Sequence, residues 1–289
     1  MPATAGSSLD VMARTLSEKL LPLWGKPIVI ENKPGAGGLI GVGTAAKAPP
    51  DGHVMALGYN GPLAFAPFLY HPMPYDVTRD LLAVVMTSSQ PNVLAINAAL
   101  PARSVRELVA WAHGRRGETT YASIGSGSSS HLAMELFKRA ARFDAVHVPF
   151  NGSPAAALSV ARGETHMLFA VASGLVPQVQ SGQIRLLAVT SARRFAGLDD
   201  LPTLAEAGLP GFVAEAWNGL VVAAGTPADV AAKLNADVNA VLQLPDVRAR
   251  FRALGMAAAG GSSATFRTLI DDEMKRWGPV IRQAGIKVE

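Results

Sequence analysis

The sequence predicts an α/β protein of two lobes, on three observations. Its 289 residues fit about two ordinary domains. Short apolar runs alternate with helical patterns nearly throughout, the pattern of βαβ units and mostly parallel sheets. The same alternation restarts near Thr119, with crossings near 100 and 218, so residues 1–100 and 220–289 form one discontinuous lobe and 101–219 the other.

The elements follow in order. Residues 8–23 place Val11, Leu16, Leu20 and Leu23 on roughly one helical face, behind Ser7 and Asp10 at capping-box spacing. Residues 27–32 (PIVIEN) read as a buried strand, Leu39 to Lys47 as a short helix after a Gly-rich turn, and 53–59 and 93–97 as strands. A helix over 104–114 starts at Ser104, with Glu107 three residues on, and stops at Gly114. Strand TTYAS, loop IGSGSSS, helix 131–141, strand 145–150, helix 154–162, strand 165–170, helix 173–181 and strand 184–190 complete the second lobe. The last third is mainly helical: 227–243 has Pro227 in its first turn, and 263–283 carries Phe266, Leu269, Ile270, Met274 and Trp277 at helical spacing.

Composition narrows the function. Apolar residues at 49% against 17% charged exclude intrinsic disorder. No apolar run reaches the roughly 18 residues of a membrane span. The absence of cysteine excludes disulfides, thiolate metal sites and cysteine nucleophiles. A net charge of +4 spread along the chain, with 10 Phe and 4 Tyr, argues against a nucleic-acid partner. The opening MPATAGSSLD has neither a basic nor an apolar leader region, so no signal peptide is read in the chain as given.

Three loops combine small residues with a following helix start: Ala5 to Ser8, Gly125 to Ser130, and Asn151 to Ser153. The first amides of a helix lack intrahelical partners and lie at the positive end of its dipole, so they hold an anion without a basic side chain. Gly35, Gly37 and Gly41 miss the dinucleotide spacing and read as tight-turn glycines. His131, three residues beyond Ser128, reads as a polar residue of the first helical turn rather than a catalytic base. His147 and His166 lack metal-site spacing with Asp144 or Glu164 and read as structural histidines, so no metal and no cofactor is expected.

The stretches PATAGSSLDVMAR (2–14), VIENKPGAGGLIG (29–41), YASIGSGSSSHLAMELF (121–137), HVPFNGSPAAALSVARGE (147–164) and LPTLAEAGLPGF (201–212), in that order and spacing, resemble the Bug family. These are the extracytoplasmic solute receptors of tripartite tricarboxylate transporters, and the resemblance covers essentially the whole chain. It implies a two-lobed fold like type II periplasmic binding proteins, with a hinge, an interlobe cleft that closes on ligand, and no catalysis. The implied ligand is a small organic carboxylate. Its contacts would be Ala5, Gly6, Ser7 and Ser8 with Asn60 in the first lobe, and Ser123, Gly127, Ser128, Asn151 and Gly152 in the second. Ala170 and Ser173 would shape the distal end.

The resemblance further implies a periplasmic monomer that serves membrane transporter subunits or a sensor. Departures from the family pattern are Ser7 in place of a second glycine, Leu9 for Thr and Phe150 for Tyr. The chain starts at the first loop, so its first lobe is expected to lack the preceding strand. The rival expectations are a serine-dependent hydrolase or acyltransferase using Ser126 or Ser128 within the Ser126 to Ser130 loop, and a truncated paralogue without a transport role.

Overall fold

The computed structural model describes residues 1–115, 117–150, 152–283 and 285–286. The chain forms two compact units, one of Met1–Ser89 with Trp217–Gln283 and one built on Gln90–Ala216. The first unit opens with α1 (Ser8–Trp24), α2 (Leu39–Ala46), β1 (Met55–Tyr59) and β2 (Leu81–Gln90). The second contains β3 (Asn92–Asn97), α3 (Val105–His113), β4 (Thr120–Ser123), α4 (Ser129–Ala141), β5 (Val146–Pro149), α5 (Ser153–Arg162), β6 (Met167–Val171), α6 (Val176–Gln180) and β7 (Ile184–Val189). The chain then returns through β8 (Ala216–Ala223), α7 (Ala228–Gln243), α8 (Pro245–Ala253), β9 (Ala257–Ala258) and α9 (Ser263–Gln283).

The sheets are ordered β1-β8-β2-β9 and β5-β4-β6-β3-β7. Here the expectation of mostly parallel sheets gives way. β1 pairs antiparallel with β8, and β2 with β9. In the second sheet β4 is parallel to β5 and β6, while β3 runs antiparallel to both β6 and β7. The physical reason is that a continuous apolar run reports a strand buried on both faces and is silent on its direction. Val93, Leu94, Ala95 and Ile96 have no exposed surface at all. Because β3 is a central strand of the second sheet, the first crossing falls at Ser89/Gln90 rather than near 100, and the return falls at Ala216/Trp217.

Three local expectations also change. Residues 27–32 are not a strand, and Val29 is 80% exposed. The backbone of this segment bonds to Met1 instead, with the Met1 amino group donating to the Glu31 carbonyl and the Lys33 amide to the Met1 carbonyl. The helix expected over 173–181 is a 3₁₀ turn, Ala172–Gly174, followed by α6, which starts afresh with Pro177 in its first turn. Pro245 likewise opens α8, which the reading above left without an element.

Each unit has its own core. In the first, Leu9, Met12, Leu16 and Leu20 of α1 pack with Val84 and Val85 of β2, Val222 of β8 and Val238 of α7. In the second, Val93, Ala122, Ala157, Val160, Leu168 and Ala170 join the central strands to α5. Directly opposed residues of an antiparallel pair face the same side, and β1 and β8 oppose Gly58 to Gly219. A Cβ at Gly219 would lie 2.1 Å from the Phe266 ring of α9, and one at Gly58 would lie 2.7 Å from Leu63. Paired glycines thus let α9 and the π-type turn Gly61–Phe65 lie directly on the sheet. Among the described residues no helix is long and apolar enough to cross a membrane. Gly219→Ala overpacks this contact, so urea denaturation is expected to show a loss of about 1–3 kcal/mol with the m-value unchanged.

Candidate functional site

Because β4, β5 and β6 are parallel, their C-terminal ends lie along one edge of the second sheet. That edge is where open α/β sheets bind ligands. The loop into α4, the loop into α5 and the Ala172–Gly174 turn all leave from it. The Phe150 amide donates to the Ser123 carbonyl at 3.0 Å, and a Cβ on Gly174 would sit 2.6 Å from Cβ of Ser153. The three loops are therefore neighbours.

Two turns, one in each unit, share a single design. Before α1 the sequence is Gly6-Ser7-Ser8-Leu9-Asp10, and before α4 it is Gly127-Ser128-Ser129-Ser130-His131. Each glycine has positive φ, +78° and +74°. Each N-cap serine accepts the amide three residues on, Ser7 Oγ from Asp10 and Ser128 Oγ from His131, both at 3.3 Å. Each third helical residue reaches back to the glycine: the Gly6 amide donates to Asp10 Oδ2 at 2.9 Å and the Gly127 amide to His131 Nδ1 at 3.1 Å. The reciprocal cap closes both ends of the turn while leaving the next two amides, Ser8 and Leu9 or Ser129 and Ser130, as those without an intrahelical partner.

The supports beneath the two turns differ in charge. Asp10 is 2% exposed and takes further bonds from Arg14 Nε and Asn32 Nδ2, both at 2.9 Å. The Arg14 bond above all, then the Gly6 amide, holds its carboxyl down to about 2. Below the second turn, the His131 ring stacks on His147 at 3.8 Å, and His147 stacks on Tyr121 at 4.9 Å. Burial, reinforced by His147 and Lys138, pushes His131 down to about 3, so this support is neutral at physiological pH. His147 Nε2 lies 2.7 Å from Ser123 Oγ, which also accepts the Gly125 amide. Tyr121 donates to Glu135 at 2.5 Å, and Lys138 pairs with the same carboxylate oxygen at 2.7 Å.

The expected contact residues separate accordingly. Ala5 and Gly6 are exposed, and Ser7, Ser8 and Ser128 are half-buried at their turns. The amides of Gly6 and Gly127 are turned inward onto Asp10 and His131, so these glycines shape the turns rather than donate outward. Ser123 is fully buried against His147. Asn60 is buried at the start of the π-type turn after β1. Gly152, at φ +96°, caps α5, and Ser173 is exposed in the turn after β6, whereas Ala170 has no exposed surface, opposite Val93 within the sheet. Asn151 lies outside the described residues.

A Ser128–His131 nucleophile and base pair is not formed, since Ser128 Oγ donates to the Gly125 carbonyl at 2.6 Å while the His131 ring faces the Gly127 amide. His166 Nδ1 accepts the Thr120 amide at 2.9 Å. Among the described residues no group of three His, Asp or Glu stands together to hold a metal. A surface cavity of about 310 Å³ lined by Met73, Tyr75, Arg79 and Met274 contains none of the expected contact residues. Sequence reasoning missed Asn32, Arg14 and the imidazole stack. The repeated G-S-S spacing with an acceptor at the fifth position was the signal for His131.

The two-unit α/β fold is shared with the solved periplasmic binding protein BugD, 28% identical with TM-score 0.84, covering 99% of this chain and 97% of that one. A sequence model described as tripartite tricarboxylate transporter family receptor matches residues 12–286, and the chain belongs to that family. BugT of Bordetella pertussis is 34% identical, over 100% of this chain and 89% of its own length. Rhodopseudomonas palustris Rpa4515, solved with adipate, is 33% identical with TM-score 0.88, covering 99% of this chain and 96% of that one. MatC from the same organism, solved with bound malate, is 30% identical with TM-score 0.82, covering 96% of each. The family is one of transporter receptors, and its solved relative BugD is a periplasmic binding protein.

Since the folded-state pKa of Asp10 lies below its unfolded value near 4, its stabilisation is fully present above about pH 4 and is lost as pH falls toward 2. Asp10→Ala is expected to cost about 1–3 kcal/mol at pH 7 in chemical denaturation, with the difference from wild type shrinking at pH 2.5. An undiminished difference would show that the carboxylate charge contributes nothing.

Proposed function

We propose that this chain captures a small organic carboxylate in the periplasm and delivers it to membrane transporter subunits or a sensor. The observation that carries the reading is the pair of reciprocally capped turns, each fixed in place with first-turn amides left for an acceptor. Adipate with Rpa4515 and malate bound to MatC support the ligand class. In this reading Ser7, Ser8 and Ser129 provide hydroxyl and amide donors, Ser128 holds its turn through the cap and its bond to the Gly125 carbonyl, and Asn60, Asn151, Gly152 and Ser173 set the length and polarity of ligand accepted. Lobe closure belongs to the same proposal: a ligand shifts such an equilibrium only by its difference in affinity for the two states, so a carboxylate drives it by engaging both units. The receptor acts as a monomer.

Thermal unfolding in a panel of mono- and dicarboxylates is the direct check, run on protein stripped of ligand by unfolding and refolding. At least one acid, at about one hundred times its Kd, is expected to stabilise the fold by about 2.7 kcal/mol. Its diamide is expected to give no shift. Equal shifts from chloride at the same ionic strength would overturn the proposal.

A further inference from the structure

The two turns match in backbone geometry and differ in the side chain that holds them. Asp10 and His131 occupy the same helical position, each accepts the glycine amide four residues back, and each is nearly buried, at 2% and 5% exposure. Asp10 brings a negative charge to its turn, paired with the partly exposed Arg14 and hydrogen-bonded by the neutral amide of Asn32. It acts as a built-in anion at the start of α1, where the helix dipole and the Gly6 amide already attract one. His131 performs the same structural task with a ring nitrogen lone pair. We infer that His131 is a positioning residue that makes the α4 turn the one of the two that accepts ligand charge, because it fixes Gly127 without placing a negative charge beneath the helix start. This inference rests on the carboxylate-receptor reading.

The surroundings of His131 preserve that neutrality. His147 of β5 stacks on it at 3.8 Å, so two positive rings would face each other if both were protonated. Tyr121 of β4 lies at 6.2 Å and donates its own proton to Glu135. Glu135 and Lys138, one turn and two turns further along α4, neutralise each other at 2.7 Å. Burial holds both histidines below their ordinary range. A neutral ring that accepts at Nδ1 carries its proton on Nε2, so the tautomer is fixed by the Gly127 bond.

The structure also supplies the test. Asp10 shows that a side chain with its oxygen on Cγ reaches the glycine amide from this helical position, at 2.9 Å. His131→Asn and His131→Asp therefore preserve the bond to Gly127 and differ by one charge. In calorimetric titrations with adipate and with malate at pH 7, His131→Asn is expected to weaken binding a few-fold, and His131→Asp by at least about ten-fold beyond that. The gap is expected to narrow in high salt. Equal affinities for the two variants would overturn the inference.

Imidazole ¹⁵N shifts of the wild-type protein give a second reading that does not depend on either variant folding. His131 as a neutral Nε2–H ring at pH 6 supports the inference, and a protonated or Nδ1–H ring contradicts it. If wild type takes up no acid of the panel while the ring is neutral, the carboxylate-receptor reading fails, whereas equal affinities of the two variants for an acid that wild type binds overturn the inference alone.

Discussion

A helix start that is to bind an acceptor must satisfy two conflicting demands, and the bond from a positive-φ glycine amide to a side chain four residues ahead meets both. Some of its amides must stay unfilled, yet the loop carrying them must hold one conformation. In both units the bond fixes the residue before the N-cap, while the cap serine fixes the third helical amide. The unfilled amides are then confined to the two positions between. Removing the glycine's conformational freedom or the acceptor would release the turn, because an L side chain at φ near +75° is strained.

The rest of each unit serves to hold that acceptor still. In the first unit Asp10 is braced by Arg14 from its own helix and by Asn32, whose amide also bonds the Ala3 carbonyl. In the second, His131 is braced by stacking on His147, which projects from β5 and bonds Ser123 at the end of β4. The parallel pairing of β4 and β5 sets this spacing, with Tyr121 beside His147 and Ser123 beside Pro149 in register. Helix α4 is anchored by Leu132 and Phe137, both without exposed surface, and by the bond from Ser130 Oγ to the Phe169 carbonyl of β6. Sheet register, helix packing and turn geometry therefore converge on one ring position.

Much of this was legible in the sequence where local chemistry decides structure. Ser7 and Ser104 cap helices, as their types and positions indicate, and the apolar spacing of 263–283 forms α9, whereas α4 begins two residues before the helix expected over 131–141. Strand direction was not legible, because β3 reads as an apolar run whichever way it points, and neither was the strand expected at 27–32, where Val29 faces solvent. The fate of the glycine amides was also hidden. The family resemblance gives Gly6 and Gly127 as ligand contacts, and only the three-dimensional return of Asp10 and His131 shows their amides turned inward. The stack of His131 on His147 joins residues of a helix and a strand that no spacing rule connects.

Backbone amide shifts during a titration with adipate test the central claim most directly. The account predicts the largest changes at Ser129 and Ser130, smaller changes at Ser8 and Leu9, and little change in the hydrogen-bonded amides of Gly6 and Gly127. Changes centred on the cavity at Met73, Tyr75 and Arg79, with the two turns silent, would contradict it.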